Sequence, residues 1–251
     1  MKSLLASSLI FVALSLVPLQ ATSAQEGSVR VGVDPGYPPF SGVGESGDLK
    51  GFDIDIAQTL CDTMNVVCKF VKVEWKGLIP QLRAGTIDAI VSSMSITEER
   101  REKVAFTERY YSNVVRFVAH KNSTFNPNEP AGRTIGVAPA TVSSMWLEKN
   151  VASIATIRYF TEQGSIYEAL KSGEIDAIFG DGLGYWHWLQ GPDGADFDFT
   201  GDGYRIDEGI GIAVRKDDRE LLDKLNQAIR TILDDGTYEK INDRYFPFSI
   251  Y

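Results

Sequence analysis

The sequence predicts an α/β protein made of two similar units, and three observations carry that expectation. The first is a near-repeat. Leu82-Arg83-Ala84-Gly85-Thr86-Ile87-Asp88-Ala89-Ile90 is answered by Leu170-Lys171-Ser172-Gly173-Glu174-Ile175-Asp176-Ala177-Ile178. Each copy reads as a helix end, a glycine stop and a short buried strand. The second is an echo ahead of each copy, Gly32-Val33-Asp34-Pro35 and Gly136-Val137-Ala138-Pro139. The third is the chemistry at the ends of the two strands: Ser92, Ser93, Ser95 and Arg100 after one, Gly180 and Asp181 after the other. Ligands of open α/β sheets bind outside the carboxyl ends of strands. Taken alone, Arg100 reads as a surface arginine on an ordinary helix start. With Asp181 on the matching unit, the pair suits the carboxylate and the ammonium of one amino acid, because a guanidinium fork grips a carboxylate with two donors.

In chain order, residues 1–24 come first. Lys2 gives a positive start, Leu4 to Leu19 an apolar core, and Thr22-Ser23-Ala24 the small residues of a cleavage site. That is the pattern of a secretory signal peptide, with no cysteine to carry a lipid. Ser28 to Val33 alternates as a strand and ends at Asp34-Pro35-Gly36-Tyr37-Pro38-Pro39-Phe40, a rigid turn. Asp34 serves as a turn former or a ligand group; Tyr37 is expected to face a ligand. Ser41 to Lys50 reads as a loop. Asp53 is expected to cap a helix running to about Met64, with Ile54, Ala57 and Cys61 on one face. Cys68 to Glu74 alternates as a strand, Trp75 stands at its carboxyl end, and Leu78 to Leu82 is a short helix. After the strand at Ala89 to Val91, Ser95-x-x-Glu98 has capping-box spacing.

Phe106 to Tyr111 leads to a strand at Val114 to Ala119, where the chain crosses to the second unit. Asn122 to Gly132 is a loop and Thr134 to Ala138 a strand. Thr141-Val142-Ser143-Ser144 opens a helix whose N–H groups suit an anion. A strand at Thr156 to Phe160, a helix at Ser165 to Lys171 and a strand from Ile175 come next, the last ending at Asp181. Tyr185-Trp186-His187-Trp188 lies on a helix and reads as core. Gly191 to Tyr204 is Gly/Asp-rich and loop-like. Gly209 to Val214 is a strand, Asp217 caps a helix to about Leu233, and a last helix covers Tyr238 to Tyr245.

Composition narrows the function. The 251 residues suffice for two modest domains, and 43% of them are apolar, as in a globular protein. A net charge of -9 argues against a nucleic-acid binder. Cys61 and Cys68 are the sole cysteines, and in an exported chain an even pair reads as a disulfide. Closing so short a loop stabilises by about 2–3 kcal/mol. A metal site lacks partners, since the histidines, His120 and His187, stand far away in sequence. No cofactor is expected.

Several ordered motifs now add up to a family resemblance. They are Gly51-Phe52-Asp53-Ile54-Asp55, the Cys61/Cys68 pair, Leu78-Ile79-Pro80, Ser92-Ser93-Met94-Ser95-Ile96-Thr97, Arg215-Lys216-Asp217-Asp218 and Asp235-Gly236-Thr237-Tyr238. With them the mature chain resembles the periplasmic amino-acid-binding proteins of ABC importers, family 3, within the lysine/arginine/ornithine- and histidine-binding branch. The resemblance implies a two-lobe periplasmic-binding-protein fold of type II, two α/β lobes joined by two crossing strands and closing about a hinge. Lobe one is then 25–112 plus 209–251, and lobe two 113–208. It implies a monomer that performs no chemistry and hands its ligand to a membrane permease.

The resemblance also implies roles. Arg100 holds the ligand carboxylate with help from Ser93 and Ser95, and Asp181 takes the α-ammonium. Tyr37 lies over the side chain, Asp34 meets its cationic end, Ser92 lines the pocket, and Thr141 supports the carboxylate from lobe two. Two departures from the branch bear on the ligand. Trp75 replaces an aliphatic residue or phenylalanine, as in receptors for opines, the bulky arginine derivatives. Ala138 and Val142 replace leucine and threonine, which opens space and removes a hydroxyl. The expected function is capture of a cationic amino acid, arginine-like, with lysine, ornithine or histidine as neighbours. An opine receptor, a sensor module docking on a receptor kinase and an exported cyclohexadienyl dehydratase are the alternatives.

Overall fold

The computed structural model describes residues 27–251; the leader expected at 1–24 lies outside them. The first lobe contains β1 (Ser28–Val33), β2 (Gly42–Val43), β3 (Leu49–Lys50), α1 (Phe52–Thr63), β4 (Val67–Lys72), α2 (Leu78–Arg83), β5 (Ala89–Ile90), α3 (Glu98–Arg101) and β6 (Ala105–Tyr111). The second contains β7 (Val115–His120), β8 (Thr134–Val137), α4 (Val142–Asn150), β9 (Thr156–Tyr159), α5 (Gln163–Lys171), β10 (Ala177–Asp181), α6 (Gly182–Leu189) and β11 (Phe197–Tyr204). The chain then returns to the first lobe with β12 (Ile210–Val214), α7 (Arg219–Asp234) and α8 (Thr237–Asn242).

Two five-stranded sheets form, ordered β4-β1-β5-β12-β6 and β11-β7-β10-β8-β9. In the first, β1 runs parallel to β4 and β5, while β12 is antiparallel to β5 and β6. In the second, β8 runs parallel to β9 and β10, while β7 is antiparallel to β10 and β11. The chain passes between the sheets twice, over 112–114 and 205–209.

Both faces of the central strands are covered, so β5 and most of β10 are apolar and buried, whereas the edge strands β4 and β9 carry Lys69, Lys72 and Arg158 and are partly exposed. In the first lobe Phe52, Leu60, Ile229 and Tyr238 close one face, and Leu78, Leu82, Ile87 and Met94 the other. In the second, Leu147 and Val151 pack with Phe117 and Phe179 on one side, and Ile166, Leu170 and Tyr185 with Ile178 on the other.

The sequence repeat is a repeat of contacts. Gly85 and Gly173 both adopt a φ of 73°, the left-handed turn that releases each helix into its strand. A β-carbon on Gly32 would meet Ile87 at 2.3 Å, and one on Gly136 would meet Ile175 at 2.5 Å. Asp88 accepts from the Arg30 N–H at 3.0 Å, and Asp176 accepts from the Thr134 N–H at 2.8 Å. Each carboxylate also pairs with an arginine, Arg30 and Arg133 respectively. Hydrogen bonds from Arg30 hold the Asp88 carboxyl down to about 2.

The structure corrects several expected elements. Asp53 is no cap: α1 starts at Phe52 behind Gly51, and Asp53 is fully buried inside its first turn. Ser95 does not cap α3 either. Thr97 does, accepting from the Arg100 N–H. Asp218 rather than Asp217 caps α7. Ser41 to Lys50 carries the small hairpin β2–β3, and Phe106 to Tyr111 lies within a strand, β6. Gly191 to Tyr204 contains β11, an edge strand whose Phe197 and Phe199 pair along β7. Its outer positions face solvent, so glycine and aspartate are tolerated there. Cys61 and Cys68 are joined as a disulfide. No helix of the described residues is long and apolar enough to cross a membrane.

Candidate functional site

A cavity of about 450 Å3 lies between the two sheets. Its wall comes from segments at the ends of six parallel strands: Asp34 and Tyr37 after β1, Trp75 after β4, Ser92, Ser93 and Ser95 after β5, Ala138 and Thr141 after β8, Phe160 after β9, and Asp181 ending β10. This is the crevice that parallel α/β topology creates at strand ends. All of the residues singled out from sequence (Asp34, Tyr37, Trp75, Ser92, Ser93, Ser95, Arg100, Thr141 and Asp181) line it.

Arg100 sits on the short helix α3 with only 7% of its surface exposed. Its Nη1 donates to the Ser95 carbonyl at 2.9 Å, and its guanidinium lies 5.2 Å from the centre of the Trp75 ring. Burial lowers its pKa to about 10, so it remains a cation at neutral pH. Among the described residues no carboxylate bonds to it, which leaves donors of the fork for an anion in the cavity.

Asp181 opposes it from the second lobe. It ends β10 and caps α6, its Oδ1 accepting from the N–H groups of Leu183 and Gly184 at 2.8 and 3.2 Å. Burial pushes its carboxyl up to about 6, against the pull of the Tyr37 hydroxyl and those two N–H groups. Tyr37 stacks on Phe40 and reaches across the cleft, close enough that a β-carbon on Gly184 would meet its hydroxyl at 2.8 Å. Tyr37 therefore touches the second lobe at the place where Asp181 stands.

Trp75 is the other cross-cleft contact. Its Nε1 donates to the Ala140 carbonyl at 2.9 Å, between residues 65 positions apart. Ala140 holds a φ of 59°, a left-handed conformation just ahead of the α4 cap. Asp34 accepts from the Gly36 N–H at 3.0 Å, and its own N–H donates to Ser92 Oγ at 3.0 Å. The turn-forming and cavity-lining readings of Asp34 thus hold together.

Two expected groups present themselves differently. The Thr141 hydroxyl is used within its own chain, accepting from the Ser144 N–H at 3.1 Å and donating to the Ala138 carbonyl at 2.9 Å. What α4 offers the cavity is its first turn, where the Val142 and Ser143 N–H groups have no helical partner. The Ser93 hydroxyl is likewise engaged, donating to Asp53 at 2.9 Å.

Sequence reasoning missed Glu74, Asn113, Glu162 and Gln163, which also line the cavity. Asn113 lies in the first crossing, and its side-chain oxygen is buried without a partner among the described residues. No motif marks it. Tyr185, read as core, is buried and also forms wall, pressing its hydroxyl on Gly180. In the rest of that run Trp188 stacks on Tyr167 and Trp186 packs on Phe248, both half-buried, while His187 is exposed.

Residues 29–248 match the model of the bacterial extracellular solute-binding proteins, family 3. The chain belongs to that family. This solute-binding protein is 38% identical over 249 residues to the L-arginine-binding protein of Pseudomonas aeruginosa, covering 96% of this chain and 95% of that one. It is 38% identical over 236 residues to the histidine-binding periplasmic protein of Escherichia coli, covering 89% of each. Among solved structures, an ancestral arginine-binding protein bound to arginine superposes with a TM-score of 0.82 at 32% identity, covering 88% of this chain and 99% of that one.

Proposed function

We propose that this solute-binding protein captures a cationic amino acid, arginine-like, outside the cytoplasm and delivers it to an ABC permease. One observation carries the reading: Arg100 and Asp181, opposite charges from separate lobes, border one cavity that also contains Asp34, Glu74 and Glu162. The first pair suits a zwitterion. The remaining carboxylates suit a second positive charge at the far end of the ligand. Arg100, the Ser92–Ser95 segment and the first turn of α4 hold the carboxylate. Asp181 takes the ammonium, Tyr37 and Trp75 wall the side chain, and Asp34 meets its cationic tip. The names of the relatives point the same way.

The working unit is a monomer whose lobes are 25–112 plus 209–251 and 113–208, exported to the periplasm by the leader at 1–24. A second reading, an opine, is favoured by Trp75 and Ala138 beside a cavity of this size. The test is calorimetric titration and thermal shift of the mature protein with arginine, lysine, histidine, octopine and neutral citrulline. Thousandfold excess of a true ligand over its Kd raises stability by about 4 kcal/mol. Asp34→Asn weakens arginine and spares citrulline. Equal losses for both remove Asp34 from the role of cation partner. Prephenate and arogenate are expected to be left unconverted, and product from either turns the reading to an enzyme.

A further inference from the structure

Asp53 is the buried charge that the binding reading leaves unused. It is fully buried in the first turn of α1. Its carboxylate has two side-chain donors: the Tyr110 hydroxyl at 2.7 Å and the Ser93 hydroxyl at 2.9 Å. Burial pushes that carboxyl up to about 7, and the two hydroxyls oppose the shift. A carboxylate in such a place is costly to the fold, and a neutral residue of similar size would fill the volume.

Ser93 gives the reason for its presence. It holds a φ of 50°, a left-handed conformation that a residue with a β-carbon adopts at a cost. The turn it makes redirects the chain after β5 into the cavity wall. On one side of it, Ser92 takes the Asp34 N–H; on the other, Ser95 presents the carbonyl that holds Arg100 Nη1. The segment is then tied to the second crossing through Ile96 N–H to the Gly209 carbonyl at 2.8 Å. The bond to Asp53 is the one hydrogen bond that the Ser93 side chain makes among the described residues, and the Ser93 backbone N–H faces the same carboxylate.

We propose that Asp53 is a positioning residue for ligand capture: by gripping the Ser93 hydroxyl it keeps Ser93 left-handed, and so aims the Ser92–Ser95 segment and Arg100 into the cavity. The proposal rests on the amino-acid-receptor reading. Binding of L-arginine by the unaltered protein tests that reading, while ratios among variants test Asp53.

The variants are Asp53→Asn, Ser93→Ala, Ser93→Gly and the double variant Asp53→Asn with Ser93→Gly, titrated with L-arginine. Asp53→Asn is expected to weaken binding about tenfold, the scale of one hydrogen bond to a charged group. Ser93→Ala removes the bond and keeps the strained β-carbon, so it weakens binding more than Ser93→Gly, which relieves the strain. The double variant is expected to recover most of what Asp53→Asn lost, because glycine holds the turn unaided. Failure of that rescue, or undiminished binding by Asp53→Asn, overturns the proposal. Should Asp53→Asn not fold, the Ser93→Ala against Ser93→Gly comparison decides. A crystal structure of Asp53→Asn without ligand gives an answer independent of any ligand. Ser93 leaving the left-handed region supports the proposal, and Ser93 unmoved overturns it.

Discussion

Asp181 is asked to be an anion in a place where burial favours the protonated form, with its carboxyl raised to about 6. On the proposed reading, a proton and a ligand ammonium then compete for the same oxygens. Below that pKa the free site binds its proton first, and capture must displace it. Affinity for L-arginine is expected to be level above about pH 7 and about tenfold weaker near pH 5, read by calorimetry across that range. A flat profile would take Asp181 out of the ammonium site. At this scale the sequence was informative about which residues line the cavity and less so about how each is engaged. Arg100 and Asp181 announced themselves through the repeat, since chemistry at matching strand ends is visible in one dimension. That Thr141 and Ser93 spend their hydroxyls on Ser144, Ala138 and Asp53 was not visible, because those choices depend on local dihedrals.

Elements with both a period and a punctuation mark were legible. β1, α5 and α7 have an apolar pattern and a clear stop, and each lies close to its expected place. β11 was hidden because an edge strand needs only one apolar face, and its glycines and aspartates mimic a loop. α1 starts where Gly51 alone fits, since a β-carbon there would meet the Phe40 carbonyl oxygen at 2.3 Å. Asp53 looked like a cap because aspartate near a helix start usually is one. α4 is the element whose start matters most to the site. Thr141 and Ser144 form a reciprocal capping box there. Thr141→Val is expected to lower the stability of the ligand-free protein by about 1 kcal/mol, seen as a lower urea midpoint with unchanged slope. No change in midpoint would mean that the box is not formed in solution.

How two lobes meet is the least legible feature of all, because it depends on residues distant in sequence with no shared pattern. Trp75 and Ala140 illustrate it: nothing near either position forecasts that an indole would reach a carbonyl on the other lobe. That bond links the halves directly, and its indole also lies under the Arg100 guanidinium. A neutral hydrogen bond contributes about 1 kcal/mol, or roughly a fivefold change in the ratio of closed to open molecules. Trp75→Phe keeps a ring under Arg100 and removes the donor. The ligand-free variant is expected to show a larger radius of gyration by small-angle X-ray scattering, and bound arginine should leave it faster. An unchanged radius and release rate would show that the contact follows closure without favouring it.

The same indole has a practical use. Its emission depends on what its N–H touches and on whether the ring is shielded from water, and both change when the halves part. The molecule therefore carries a label-free reporter at its own mouth. Stopped-flow excitation of tryptophan, with Trp75→Phe as the control that leaves only Trp146, Trp186 and Trp188 emitting, would time each opening and shutting in solution without a dye.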